Sequence, residues 1–226
     1  MKQASLKGIF ILPTAAAVCC GLLGATPPGD LAPTAPLTAQ AVIARMADRN
    51  PTLRSYEARV HVDVRMLNFP FLSPQLNGTS YYKRPDFFEV VFDRMPGYAR
   101  GFGRLFDDVG SPRAWQKNQN ITLDGTAWIN GRQMIVLRLT KKIHSDILDH
   151  TLAYVDPVDY SLVQMEWYYT NGGKITMAQW YRLQGDYSVL SQQHATISIP
   201  HVRAVADATY GTYETNVAFA KGSGLP

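Results

Sequence analysis

The chain has 226 residues, 46% of them hydrophobic, with 22 Lys and Arg against 18 Asp and Glu, a formal charge of +4. That length and apolar share suit one domain with a sizeable core. The charges are interspersed, so the clustered basic face that a nucleic-acid binder needs is missing and no nucleic-acid partner is expected.

In chain order, Lys2 and Lys7 precede an apolar run from Ile9 to Ala25 that ends in small residues. This is the pattern of an export signal cut after Ala25. The run is short for a spanning helix and Pro13 interrupts it. Removing Lys2 and Lys7 takes the 22 basic residues to 20 against 18 acidic ones, and removes Cys19 and Cys20, leaving no disulfide framework. A lipid-anchored form beginning at one of those cysteines is the alternative, although Val18 stands where a small residue is expected before Cys19. The exported, periplasmic form is the expectation.

Residues 26–37 are rich in Pro and Ala and read as a linker into a domain over 38–219, with a disordered tail at 220–226. Thr38 is a suitable N-cap for a helix over Ala39 to Arg49. Val42, Ile43 and Met46 share one face of it, and Asn50-Pro51 ends it. Two alternating segments follow, Tyr56 to Met66 and Leu76 to Asp93. In the first, Val60, Val62, Val64 and Met66 oppose Arg59, His61, Asp63 and Arg65, the period-2 signature of a half-buried strand. In the second, Phe88, Val90 and Phe92 take one parity, and Pro85, which has no N–H to donate, marks a break in the strand beside Lys83 and Arg84.

A short amphipathic helix is expected over Tyr98 to Val109, with Phe102 and Phe106 on its apolar face and two glycines that make it marginal alone. From Trp115 onward the sequence reads as strands and turns only. Gln133 to Lys141, His150 to Asp156, Leu162 to Tyr169, Lys174 to Leu183, Tyr187 to Ile199 and Arg203 to Thr215 are the strands, and in the third Val163, Met165, Trp167 and Tyr169 alternate against Gln164, Glu166 and Tyr168. Asn171-Gly172-Gly173 is a strong hairpin turn, and the whole is an antiparallel meander.

Chemistry-bearing patterns are sparse. His144, Asp146, Asp149 and His150 have the donor types for a divalent ion but match no ligand spacing, and a polar loop is the plainer reading. Nucleophile elbows, zinc-binding helices and phosphate-cradling glycine loops are absent from the sequence. No catalytic residue, metal or cofactor is expected. What the strands do carry is an apolar surplus: Met66, Phe88, Phe92, Met165, Trp167, Met177 and Trp180 are read as facing inward, with little helix to cover them. They make either an ordinary core or a dry cavity for an acyl chain.

Three stretches bear on that choice: Ile43 to Asp48, Leu53 to Ala58, and Asn77 to Phe88 with its Lys83-Arg84-Pro85-Asp86-Phe87-Phe88 run. They resemble the opening of the periplasmic outer-membrane lipoprotein carriers of the LolA and LolB type, in which a first helix leads to a strand and then to a return strand with a Lys-Arg-Pro-x-x-Phe signature. The resemblance implies a half-open antiparallel β-barrel with short helices as lid or plug. Its cavity would be lined here by Val60, Val62, Val64, Met66, Phe88, Val90, Phe92, Met165 and Trp167, and its lid helices would carry Val42, Met46, Phe102 and Phe106. Arg84 would be the lid switch. The function implied is a non-catalytic, monomeric carrier of lipoprotein acyl chains or another lipid, working between an inner-membrane exporter and an outer-membrane acceptor. An envelope sensor that binds lipid or misfolded protein on the same fold is the alternative. After Asp93 the likeness lapses, since the Tyr98 to Val109 segment stands where the family has an Asp-Gly-x-x-x-Trp-x-Tyr strand pair.

Overall fold

A computed structural model describes residues 36–85, 87–94, 111–143, 145 and 147–219. The expected export signal, most of the expected linker, the helix expected over Tyr98 to Val109 with Phe102 and Phe106, His144, Asp146 and the tail lie outside the described residues.

Among its described residues the domain, which begins at Leu37, is one ten-stranded antiparallel sheet with two short helices. Helix α1 is Ala39–Ala47. The strands are β1 (Ser55–Met66), β2 (Gln75–Lys83) and β3 (Phe87–Phe92), then, after helix α2 (Pro112–Asn118), β4 (Gln119–Ile129), β5 (Arg132–Lys141), β6 (Leu148–Val155), β7 (Leu162–Tyr169), β8 (Lys174–Gln184), β9 (Tyr187–Ile199) and β10 (Val202–Thr215). Their order is β3-β2-β1-β10-β9-β8-β7-β6-β5-β4, so β3 and β4 are the two edges and the curved sheet stays open. The half-open β fold with short helices, expected from the sequence, is the fold found.

Alternation decides which face is dry. Val60, Val62, Val64 and Met66 of β1 enter the main core with Leu137 and Leu139 of β5, Met165 and Trp167 of β7, Met177 of β8 and Ala204, Ala206 and Ala208 of β10. Helix α1 lies on this concave face and buries Val42, Ile43 and Met46 in the same cluster. Thr38 caps it, its hydroxyl accepting from the Ala41 N–H at 3.2 Å, as a Thr before an apolar-periodic run should. Trp115 of α2 fills the space beside it.

Four details depart from the sequence expectations. The break at Pro85 is a reversal of the chain, not an irregularity within one strand: β2 and β3 pair antiparallel, with Lys83 opposite Phe87 and Gly78 opposite Phe92. Gly78 permits the close approach, because a Cβ there would lie 2.5 Å from the Val91 carbonyl oxygen. Trp115 is helical, in a seven-residue helix that Pro112 opens at its first turn, where the missing N–H costs nothing. Trp180 is exposed on the convex face, since it has the opposite parity to Met177. Val163 joins a small convex cluster around Met134, Val136 and Tyr154, because the ladder slips between Tyr154 and Val155 and turns it over.

The convex face also holds a buried carboxylate. Both Glu166 oxygens are occupied: Tyr168 and Tyr154 hydroxyls donate to Oε2 at 2.6 and 3.0 Å, and Gln164 Nε2 and Lys174 Nζ reach Oε1 at 3.0 and 2.9 Å. Burial pushes this acid up, but the Tyr168, Lys174 and Tyr154 donors outweigh it and hold the group below the usual carboxylate range.

Candidate functional site

The concave face beneath α1 brings together the residues singled out in the sequence. Val60, Val62, Val64, Met66, Val90, Met165 and Trp167 are buried there, Phe88 and Phe92 pack against them half-buried, and Val42 and Met46 cover them from the helix. Apolar burial holds the middle of α1, while hydrogen bonds hold its C-terminal end.

Arg84 sits at the end of β2, where the reversal into β3 leaves its side chain directed at the segment after α1. Its Nε donates to the Leu53 carbonyl at 2.8 Å and its Nη2 to the Asn50 carbonyl at 2.6 Å. Its Nη1 lies 3.9 Å from the Asp48 carboxylate, which also accepts from Arg113 Nη2 at 2.9 Å. Asp48 is the C-cap of α1. One carboxylate therefore joins the end of the helix to the β2 terminus and to α2.

Two neighbours that sequence reasoning missed complete the tether. Asn50, recognised only as a helix terminator, donates from Nδ2 to the Ser188 carbonyl at 2.9 Å and accepts the Ser188 N–H at 3.0 Å. Arg49 donates to the Asp159 carbonyl at 3.1 Å, to its carboxylate at 3.2 Å and to the Ser188 hydroxyl at 2.8 Å, with its guanidinium 4.4 Å from the Tyr181 ring centroid. Burial pushes the Asp159 acid up, but Ser161 and Arg49 hold it below its ordinary value. Arg45 bonds the Tyr160 hydroxyl. No local pattern signals these pairs, because every partner lies far away in sequence, on the β6–β7 turn or in strands β8 and β9.

Between this tether and the sheet remains a cavity of about 140 Å³, lined by Met46, Leu53, Tyr56, Phe88, Leu162, Tyr181, Val189 and Tyr213 among others, with Arg84 at its edge. Desolvation pushes the phenols of Tyr56, Tyr210 and Tyr213 far above their ordinary range, and that of Tyr181 up to about 12. Tyr56, Tyr181 and Tyr213 are thus neutral at any physiological pH, and the charged side chains of the wall are Arg49, Arg84 and Arg113. Organic ligand sites usually measure about 300–1,000 Å³, so with α1 in place there is no room here for an acyl chain.

Asp149 and His150 bond one another at 2.7 Å, and among the described residues no three His, Cys, Asp or Glu side chains are grouped to hold a metal. No described helix is long and apolar enough to cross a membrane.

No family model matches the chain, and no curated protein matches it by sequence. Solved structures do match its backbone. A DUF1329 family protein from Desulfovibrio piger superposes with a TM-score of 0.60 at 10% identity, covering 83% of this chain and 99% of that one. An outer membrane lipoprotein-sorting protein domain from Vibrio parahaemolyticus gives 0.60 at 10% identity, covering 80% and 93%. A LolA superfamily protein from Nitrosomonas europaea gives 0.56 at 12% identity, covering 81% and 96%. At such identities the likeness is one of fold alone: the chain shares the backbone fold of these three proteins.

Proposed function

We propose that the protein is a non-catalytic carrier of the periplasm, which takes lipoprotein acyl chains or another lipid onto its concave sheet face and passes them toward the outer membrane. The observation that carries this reading is the mismatch between the two ways α1 is held. The apolar stripe of α1, Val42, Ile43 and Met46, is buried against the sheet by shape alone, whereas its distal anchor is a set of hydrogen bonds that water or a partner can replace. Acyl chains would displace Val42, Ile43 and Met46 from the sheet, exchanging one apolar cover for another. At about 0.8 kcal/mol per buried CH2, a single long chain offsets the loss of the three side chains. The Vibrio parahaemolyticus domain described as lipoprotein-sorting shares the fold and supports this cargo class. An inner-membrane exporter and an outer-membrane acceptor are the partners such a carrier requires.

Native mass spectrometry of the protein purified from its host tests the reading, with co-purified diacyl or triacyl lipid as the expected result. Phe88→Glu, which places a carboxylate at the cavity wall at a cost of several kcal/mol, should lose that lipid while keeping the sheet spectrum. Lipid retained by a folded Phe88→Glu variant, or no lipid in the wild type, would overturn the proposal.

A further inference from the structure

The antiparallel order sends the β1–β2, β9–β10, β7–β8 and β5–β6 connections to one rim of the sheet, and two of them expose large apolar side chains. In the first, Leu67, Phe69 and Phe71 are 51%, 41% and 81% exposed; in the last, Ile143 and Ile147 are 87% and 66% exposed. The described residues of both segments are held by hydrogen bonds. Leu67 N–H donates to the Arg203 carbonyl at 2.7 Å, and Asn68 grips the β9–β10 turn, donating to the His201 carbonyl at 2.7 Å and accepting the Arg203 N–H at 3.1 Å. Leu72 N–H closes a turn onto the Phe69 carbonyl at 2.8 Å, and the Phe69 and Phe71 rings meet edge to face at 6.3 Å. At the other tip, Thr170 N–H bonds the Ile147 carbonyl at 2.9 Å, and Lys142 is fixed to α2, its Nζ donating to the Gln116 carbonyl at 2.6 Å. A braced loop holding Phe71 in water is an arrangement the domain's own packing does not explain.

The surroundings of these tips are cationic. Arg65 and Arg203 stand exposed beside Leu67, and Lys141 and Lys142 beside Ile143. Among the described residues, the exposed acids nearby, Asp63, Asp207 and Asp149, each have an imidazole partner, His61 at 3.3 Å, His194 at 2.6 Å and His150 at 2.7 Å. The opposite rim also exposes Val158 and Leu183, but beside Asp159 and Asp186. The two apolar tips are separated along the sheet by the β9–β10 and β7–β8 hairpins, roughly 25 Å at the usual strand spacing. The chain also enters α1 at this rim: Ala39 and Gln40 line a cleft with Gln116, Gln119 and Lys142, just after the exposed Leu37.

We infer that this rim is a docking surface for an anionic phospholipid bilayer, with Phe71 and Ile143 entering the interface and Arg65, Arg203, Lys141 and Lys142 meeting headgroup phosphates. The inference does not depend on the carrier reading. Cargo retention and docking are separate measurements, and either can fail alone.

The test uses the protein as exported, with Phe71→Trp as a reporter, added to phosphatidylcholine vesicles with and without phosphatidylglycerol. The expected result is a blue shift of the new indole, quenched by shallow lipid-borne quenchers and strongest with phosphatidylglycerol. Phe71→Asp with Ile143→Asp should lower vesicle partitioning at least about tenfold, and Arg65→Gln with Arg203→Gln about tenfold, in the anionic vesicles only. Both pairs are exposed, and near-UV circular dichroism checks that each variant is folded. An indole at position 71 that does not respond to vesicles, or undiminished binding by the Asp pair, overturns the inference. So does a response that needs a protein partner in lipid-free solution, which would make the rim a protein interface.

Discussion

The two ends of α1 are held in different ways. At its C-terminal end, Arg84, Arg49 and Asn50 spread directional bonds over three separate turns of the sheet. At its N-terminal end there is the Thr38 cap and a cleft of about 330 Å³ with polar walls, Gln40, Gln116, Gln119 and Lys142 among them. Burial is set by shape and resists change everywhere along the apolar stripe. Hydrogen bonds to exposed partners are worth about 1 kcal/mol each, somewhat more to charged groups, and can be replaced one at a time. A helix so mounted can loosen from its bonded end while its apolar middle still rests on the sheet, which is how a cover differs from a core element.

The sharpest way to break this contrast is to remove what both ends share. Ile43→Ala should destabilise α1 by about 2–5 kcal/mol, since Ile43 is almost fully buried beneath the helix. Amide exchange should then rise along the whole of α1, with little change in β1 and β10. Arg84→Leu is next, at about 2 kcal/mol. It should speed exchange only around 45–50, and a labelled lipopeptide should still bind while its transfer to an acceptor protein slows, because closure no longer offsets the loss of lipid contacts. Lys83→Leu, the neighbouring exposed cation, is the control, and equal small effects from both would reduce Arg84 to surface charge. Thr38→Ala should cost about 1 kcal/mol and register in the first turn alone.

The smallest effect is one of pH. The folded Asp159 acid titrates below its ordinary value, so its contribution is complete above the ordinary carboxylate range and is lost as pH falls through the lower, folded value. Below about pH 4 the Arg49 tether should weaken, and exchange at the C-terminal end of α1 should rise ahead of global unfolding. In Asp159→Asn that acid-dependent rise should be absent.

Much of this was legible in the chain because it is written locally. β1 declares its dry face residue by residue, Thr38 its cap, and the Lys83 to Phe88 run led to the fold. What escaped depends on partners far away in sequence. Leu76 to Asp93 keeps its parity across a reversal, so alternation could not reveal the turn after Lys83. Glu166, between Met165 and Trp167, reads as a solvent-side residue, and only Tyr154 on the next strand and Tyr168 and Lys174 around it make it a buried one. The Trp180 error was simpler, since its odd spacing from Met177 was already visible. Arg49 and Asn50 gave no sign of Asp159 and Ser188.

One rung of the ladder also bears on how the molecule comes into being. Tyr56 on the first strand pairs with Thr215 on the last. A chain that emerges from its N-terminus therefore offers β1, β2 and β3 to the solvent long before β10 exists to cover the open side of β1. Pairings so distant in sequence form slowly, and an uncovered strand edge attracts other chains meanwhile. A newly made molecule must either reach its compartment unfolded or be shielded until its final residues arrive, and a chain cut short before β10 leaves two half-sheets with nothing to join them.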